Sequence, residues 1–147
     1  MADRAFIEEN AASREELAEL ISRLDERSLQ CAAGSGWTVS TLLCHVAFWD
    51  QVALFKLKKW ESCGFEAQGL SPQTIDAINE AVKAISQTVP GPEAVRLALD
   101  SAAAVDRLVE GISGELCDQI AAASFERSLR RSLHRRGHLR RIKEALI

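Results

Sequence analysis

From Thr38 to Gly64 the chain carries apolar side chains around most of a helical wheel. Leu42, Leu43, Val46, Phe48, Trp49, Val52, Leu54, Phe55 and Leu57 leave little polar circumference. A helix of this kind is a central one, enclosed by others. Thr38 is its expected N-cap and Trp37 the preceding hydrophobic staple. Trp60 closes it, and Gly64 offers a left-handed C-cap.

The flanking segments read as helices that enclose it. A first helix is expected over about 3–27, where Phe6, Ile7, Leu17, Leu20, Ile21 and Leu24 recur near helical spacing. Ser13-Arg14-Glu15-Glu16 carries a capping-box pattern, so that helix starts or breaks at Ser13. Ala32-Ala33-Gly34-Ser35-Gly36 reads as a flexible stop. Ser71-Pro72 opens a short helix with the stripe Ile75, Ile78, Val82 and Ile85. Pro90-Gly91-Pro92 ends it and is the clearest break in the chain. A third main helix follows over about 92–112, with Val95, Leu99, Ala102, Val105, Leu108, Val109 and Ile112 facing inward. Residues 113–124 read as a loop with room for a short turn. Ser124 then caps a fourth helix from Phe125 to Leu146.

These elements imply an all-α fold: a four-helix bundle with a short extra helix between helices two and three. Its topology stays open. A length of 147 residues suits one domain over 1–147 with one core. Tyr is absent and aromatics are 5%, which argues against an all-β fold. Apolar runs are too short to span a bilayer. Met1-Ala2-Asp3-Arg4 lacks an apolar signal region, so a cytoplasmic protein is expected. Cys31, Cys44, Cys63 and Cys117 show no C-x-x-C spacing and read as reduced thiols.

Charge is uneven. Residues 124–147 hold eight basic and two acidic side chains, a net +6, which leaves −9 on the rest of a chain whose total is −3. A basic last helix on an acidic body points to charge pairing within or between subunits before nucleic acid. No aromatic side chains interleave the arginines as a nucleic-acid surface would require. There is no phosphate-cradling glycine loop and no dinucleotide fingerprint.

The three histidines are the chemical signal. His134 and His138 are four apart, so they share one helix face and can reach one metal ion. His45 has Leu42, Trp49 and Val52 as neighbours on its face, so it points inward. Three imidazoles from facing helices would leave open positions on an ion, the pattern of a catalytic site. Zn²⁺, Ni²⁺ and Fe²⁺ all suit such ligands. The competing reading is three packed, hydrogen-bonded histidines.

Three motifs sharpen this. Trp37-Thr38-Val39-Ser40-Thr41-Leu42-Leu43-Cys44-His45-Val46-Ala47-Phe48-Trp49 resembles the second-helix motif of the DinB/YfiT-like superfamily. Leu133-His134-Arg135-Arg136-Gly137-His138-Leu139-Arg140-Arg141-Ile142 is similar to that family's last-helix motif, H-x-x-x-H-L-x-x-I. Ile75-Asp76-Ala77-Ile78-Asn79-Glu80 resembles its Asn-containing short helix. The resemblance implies a four-helix bundle holding a divalent metal, with His45, His134 and His138 as ligands. It also implies a link to enzymes that use mycothiol, bacillithiol or a related low-molecular-weight thiol, such as maleylpyruvate isomerase and thiol S-transferases. Many members have no assigned reaction.

Two departures matter. Arg135 stands where the family often has an acid. The last helix also lacks one tidy apolar face, because Leu129 and Leu133 fall opposite His134 on the wheel. Either the helix is irregular near Gly137 or it buries a second face against another subunit, which favours a homodimer. Arg127, Arg130, Arg131 and Arg141 lie near the histidine face. They read as a solvated, salt-bridged surface, or as a holder for an anionic substrate. Cys44 points away from His45 and reads as a packed thiol. Asp50 and Gln51 are also turned away, and no acid–base partner emerges. The resulting expectation is a metal-dependent, thiol-linked transferase or isomerase acting on a small molecule, without nucleic acid or membrane. The alternative is a non-catalytic helical module that binds a partner or sequesters a small molecule.

Overall fold

The computed structural model describes residues 4–147, and among them the regular elements are all helical, with no strand. Helix α1 is Ala5–Ser22, α2 Glu26–Leu29, α3 Val39–Cys63, α4 Pro72–Ser86, α5 Gly91–Gly111, α6 Gly114–Ala122 and α7 Ser132–Ala145. A 3₁₀ turn, Glu126–Ser128, precedes α7. No helix among the described residues is long and apolar enough to cross a membrane.

Local chemistry sets most boundaries. Thr38 and Thr41 form a capping box at the start of α3, and Gly64 ends it at φ +90°. Ser71 caps α4, with Pro72 in its first turn. The expected start at residue 3 of the first helix lies outside the described residues. That helix ends at Ser22 rather than 27, because Asp25 caps a separate turn, α2, by accepting from Ser28 N at 2.7 Å. Ser13 neither starts nor breaks α1. Its hydroxyl donates back to Asn10 O at 2.8 Å, which satisfies it inside a continuous helix. Residues 32–38 form a tight turn. Gly34, Ser35 and Gly36 all have positive φ, and Ala33 N bonds Trp37 O at 2.7 Å.

Two boundaries differ more. Residues 114–122, expected as loop, are α6. Ser113 accepts from Leu116 N at 3.2 Å, and Leu116, Cys117 and Ile120 are buried. The last helix begins at Ser132, not Phe125, since Ser124 has φ +64° and closes α6 instead of capping a new helix. Leu129 therefore lies off the α7 wheel and is buried in the core, while Leu133 is half exposed. Helix α7 runs unbroken through Gly137 and buries one face: Ser132, Arg135, Leu139 and Ile142. The two-faced last helix thus came from a misplaced start. In the short helix, Ile75, Ile78 and Val82 are half-buried but Ile85 is exposed.

The central helix packs most closely on α5. The small side chains Ala94, Ala98 and Ala102 line α5's buried face and let the two backbones approach. Val95, Leu99 and Leu108, expected inward, flank that face half-buried. At Gly91 a Cβ would stand 2.8 Å from Leu29 Cδ1, so a larger residue there would make the Leu29 side chain shift where α2 meets α5.

Two apolar clusters fill the interior. One gathers Leu17, Leu42, Leu43, Ala98 and Ile142, and the other Phe6, Leu57, Val105, Ile120 and Leu129. Buried polar residues gather where the clusters meet: Asn10 and Ser13 on α1 and Asp50 on α3 lie between them, and they are joined by Asp106, next to Val105 on α5, and Arg135, ahead of Leu139 on α7. The order of the clusters along each helix also gives direction. Helices α1 and α7 run one way, α3 and α5 the other, so α4 carries the chain back between two parallel neighbours.

Candidate functional site

Helix α3 delivers His45 from its first turns, and α7 delivers His134 and His138 from successive turns of one face. The three rings converge. Centroids are 5.1 Å apart for His45–His134, 4.5 Å for His45–His138 and 4.6 Å for His134–His138. One ring nitrogen from each lies within 4.8 Å of the others, a cluster able to hold a metal ion. Cys44 is not part of it. It packs in the core, where burial pushes its thiol up.

The nitrogen geometry suits a shared ion. His45 Nε2 and His134 Nε2 are 3.2 Å apart. Two nitrogens ligating one ion at about 2.0–2.1 Å stand roughly 3.0–3.4 Å from each other. His45 Nδ1 and His138 Nδ1 are buried without a protein partner. Burial, with His138 and Arg141 nearby, lowers His45 to about 4. Burial, then Arg141, lowers His138 to about 4, and His134 is held well below its ordinary value by burial and then Arg131. At neutral pH the cluster is three uncharged imidazoles with lone pairs to give, which is the donor set a divalent ion requires.

A charged layer underpins the α7 pair. Arg135, beside His134, is fully buried and donates to Asp106 Oδ1 at 2.7 Å and to Asp50 Oδ2 at 3.3 Å. Arg131 donates to Asp50 Oδ1 at 2.8 Å and to Arg127 O at 3.0 Å. Arg14 reaches Asp106 Oδ2 at 2.8 Å. Asn10 holds the start of α7 by donating to Leu129 O and accepting from Ser132 N. Arg131 Nη2 also lies 3.5 Å from His134 Nδ1. A guanidinium only donates, so it cannot hold a proton on that Nδ1 as a backbone carbonyl would. Arg131 acts on the ring through charge and packing.

The cluster opens into a cleft of about 820 Å³. Trp37 stands edge-on to His45 at 5.1 Å. Trp49 forms another wall, its indole N–H donating to Asn79 Oδ1 on α4 at 2.8 Å. The turn that presents Trp37 is tied down from two sides, by Lys83 Nζ to Ser35 O and Arg141 Nη2 to Ala33 O, each at 2.9 Å.

A model of the DinB superfamily matches residues 9–146. The chain belongs to the DinB superfamily. No curated protein and no solved structure matches it.

Within this DinB-superfamily chain, the structure brings together every histidine singled out from the sequence. It also places Arg127, Arg130, Arg131 and Arg141 on the cleft. Sequence reasoning missed Asp50 as a partner of α7, Asp106, and Lys56 on the cleft wall. A pair of aspartates set in otherwise apolar helix faces was the available signal for the first two.

Proposed function

We propose that this chain is a divalent-metal-dependent enzyme with His45, His134 and His138 as the ligands. The convergence of three neutral imidazoles, two of them 3.2 Å apart at Nε2, carries the reading. Zn²⁺, Ni²⁺ and Fe²⁺ suit the donor set. Bound there, such an ion supplies the Lewis acidity that deprotonates a thiol or water near neutral pH. The resemblance of its motifs points to thiol-linked transferase or isomerase chemistry. The chain's own part is to bind and orient. Trp37 and Trp49 wall the reacting end, and Asn79 holds Trp49. Asp50, Arg131 and Arg135 keep α7, and with it two of the ligands, in place.

The reading carries a wider picture: one domain, a four-helix bundle of α1, α3, α5 and α7, a cytoplasmic setting and a small-molecule substrate. Metal content of tag-free protein by mass spectrometry is the test, alongside His134→Ala. Near one equivalent in the wild type and almost none in the variant is expected. Wild-type protein that stays metal-free after incubation with all three ions overturns the proposal.

A further inference from the structure

The seam between α3 and α5 has two sides of different chemistry. On the inner side Asp50 and Asp106 both reach Arg135. On the outer side Gln51 Nε2 donates to Ser101 Oγ at 3.0 Å. That bond fixes the level of the two helices, which run the same way. Phe48 and Phe55 stand three residues before and four after Gln51, so they share its side of α3. Leu97, Ala104 and Leu108 continue the side of α5 that carries Ser101, at helical steps of four, three and four. The outer side is thus a two-helix face whose projecting side chains are apolar. Phe55 is 63% exposed and Leu97 37%, while Phe48, Ala104 and Leu108 are half-buried. None of these five lines the cleft above the histidines.

The two ends of this face differ in charge. Lys58 and Lys59 close it at the end of α3, level with Arg107 on α5. All three are exposed, and among the described residues they make no ion pair. Lys58 Nζ lies 5.3 Å from the Phe55 ring instead. At the other end Glu93 and Asp100 share a single cation, Arg96, at 2.5 and 3.5 Å. An apolar centre with a basic end and an acidic end is complementary to itself when turned round, which is what an isologous interface requires. The registers agree. Lys59 follows Gln51 by eight residues and Glu93 precedes Ser101 by eight. Each therefore stands about 12 Å from the Gln51–Ser101 level, in opposite directions.

We propose that this α3–α5 face docks a second copy of the chain, antiparallel about a two-fold axis at the Gln51–Ser101 level. The axis sets Phe48 against Phe55 of the second copy and Lys59 over its Glu93, and each contact occurs twice. Both clefts stay open, and the proposal stands independently of the metal-site reading. A patch of this size falls below about 1,200 Å² of total buried surface, so the dimer is one of micromolar strength.

Sedimentation velocity of the full chain from about 1 to about 200 µM tests this. A reversible monomer–dimer equilibrium is expected. Phe55→Glu should loosen it at least about tenfold, since the change enters the apolar centre twice. Lys59→Glu and Glu93→Lys should each loosen it roughly threefold or more, and the double exchange should restore wild-type association. These three positions are exposed, so an unchanged thermal midpoint shows that the fold is intact. Leu133→Ser, at an exposed leucine on α7, should leave association unchanged. A chain that stays monomeric at the highest concentration overturns the inference. So does a dimer that survives Phe55→Glu, that Leu133→Ser removes, or that the double exchange fails to restore.

Discussion

Arg135 occupies the place after the first last-helix histidine, where an acid is common in the family, and no solvent reaches its side chain. A buried guanidinium survives only if its donors are met, and here Asp50, Asp106, Asn10 O, Ser13 Oγ and Ala102 O meet them. Arg135→Met removes one partner from each aspartate and should destabilise the fold by about 3–5 kcal/mol. A thermal shift of roughly 10 °C would register it. Arg135→Lys should fall between, because an ammonium cannot fork between two carboxylates. The histidines make a second prediction at this scale. His45 and His138 are lowered to about 4 in the folded chain, below the ordinary 6.5. As pH falls from about 6.5 to about 4, the unfolded chain takes up protons that the folded one refuses. Metal-free protein should therefore lose the stability these two residues contribute as pH falls through that window, and His134, lowered in the same sense, adds to the loss. Thermal unfolding across the window checks this, and His45→Asn with His138→Asn should flatten the dependence.

At the scale of elements, the sequence was most legible where one or two residues decide a boundary. Thr38 and Ser71 act by side-chain hydroxyls on nearby backbone N–H groups, and Gly64 and the Pro90-Gly91-Pro92 break by their own backbone geometry, so they read correctly without any tertiary knowledge. The region 113–131 read poorly for a physical reason. Ser124 reads as a cap and 113–124 as loop, and only the folded chain shows that Ser113 caps a helix while Ser124 adopts a left-handed turn. The start of α7 depends on Asn10, more than a hundred residues earlier. No local pattern announces that. Ser113→Ala should cost about 1 kcal/mol and loosen α6 alone, seen as faster amide exchange at Leu116 and Cys117. The triad itself was legible because the i,i+4 pair and a helix-borne third histidine are local patterns. The place of Lys56 on the cleft wall was not, because it depends on how α3 packs against distant segments.

For the whole molecule, the candidate site joins the central helix to the last one across 89 positions of sequence. A ligand bound by both is linked to global unfolding. Adding zinc at a hundredfold excess over its dissociation constant should stabilise the protein by about 2.7 kcal/mol, and His138→Ala should abolish the gain. The layer of Asn10, Ser13, Asp50, Asp106 and Arg135 where the two apolar clusters meet has a further consequence. Greasy helices can slip past one another by a turn at little cost, since one leucine replaces another. A slip here would drive carboxylates and a guanidinium into hydrocarbon, so the layer works as a vernier with a single allowed setting. That setting is the one in which His45 arrives opposite His134. The alignment of the histidines is thus written into salt links beside them, and the chain can assemble its candidate metal-binding face before any metal arrives.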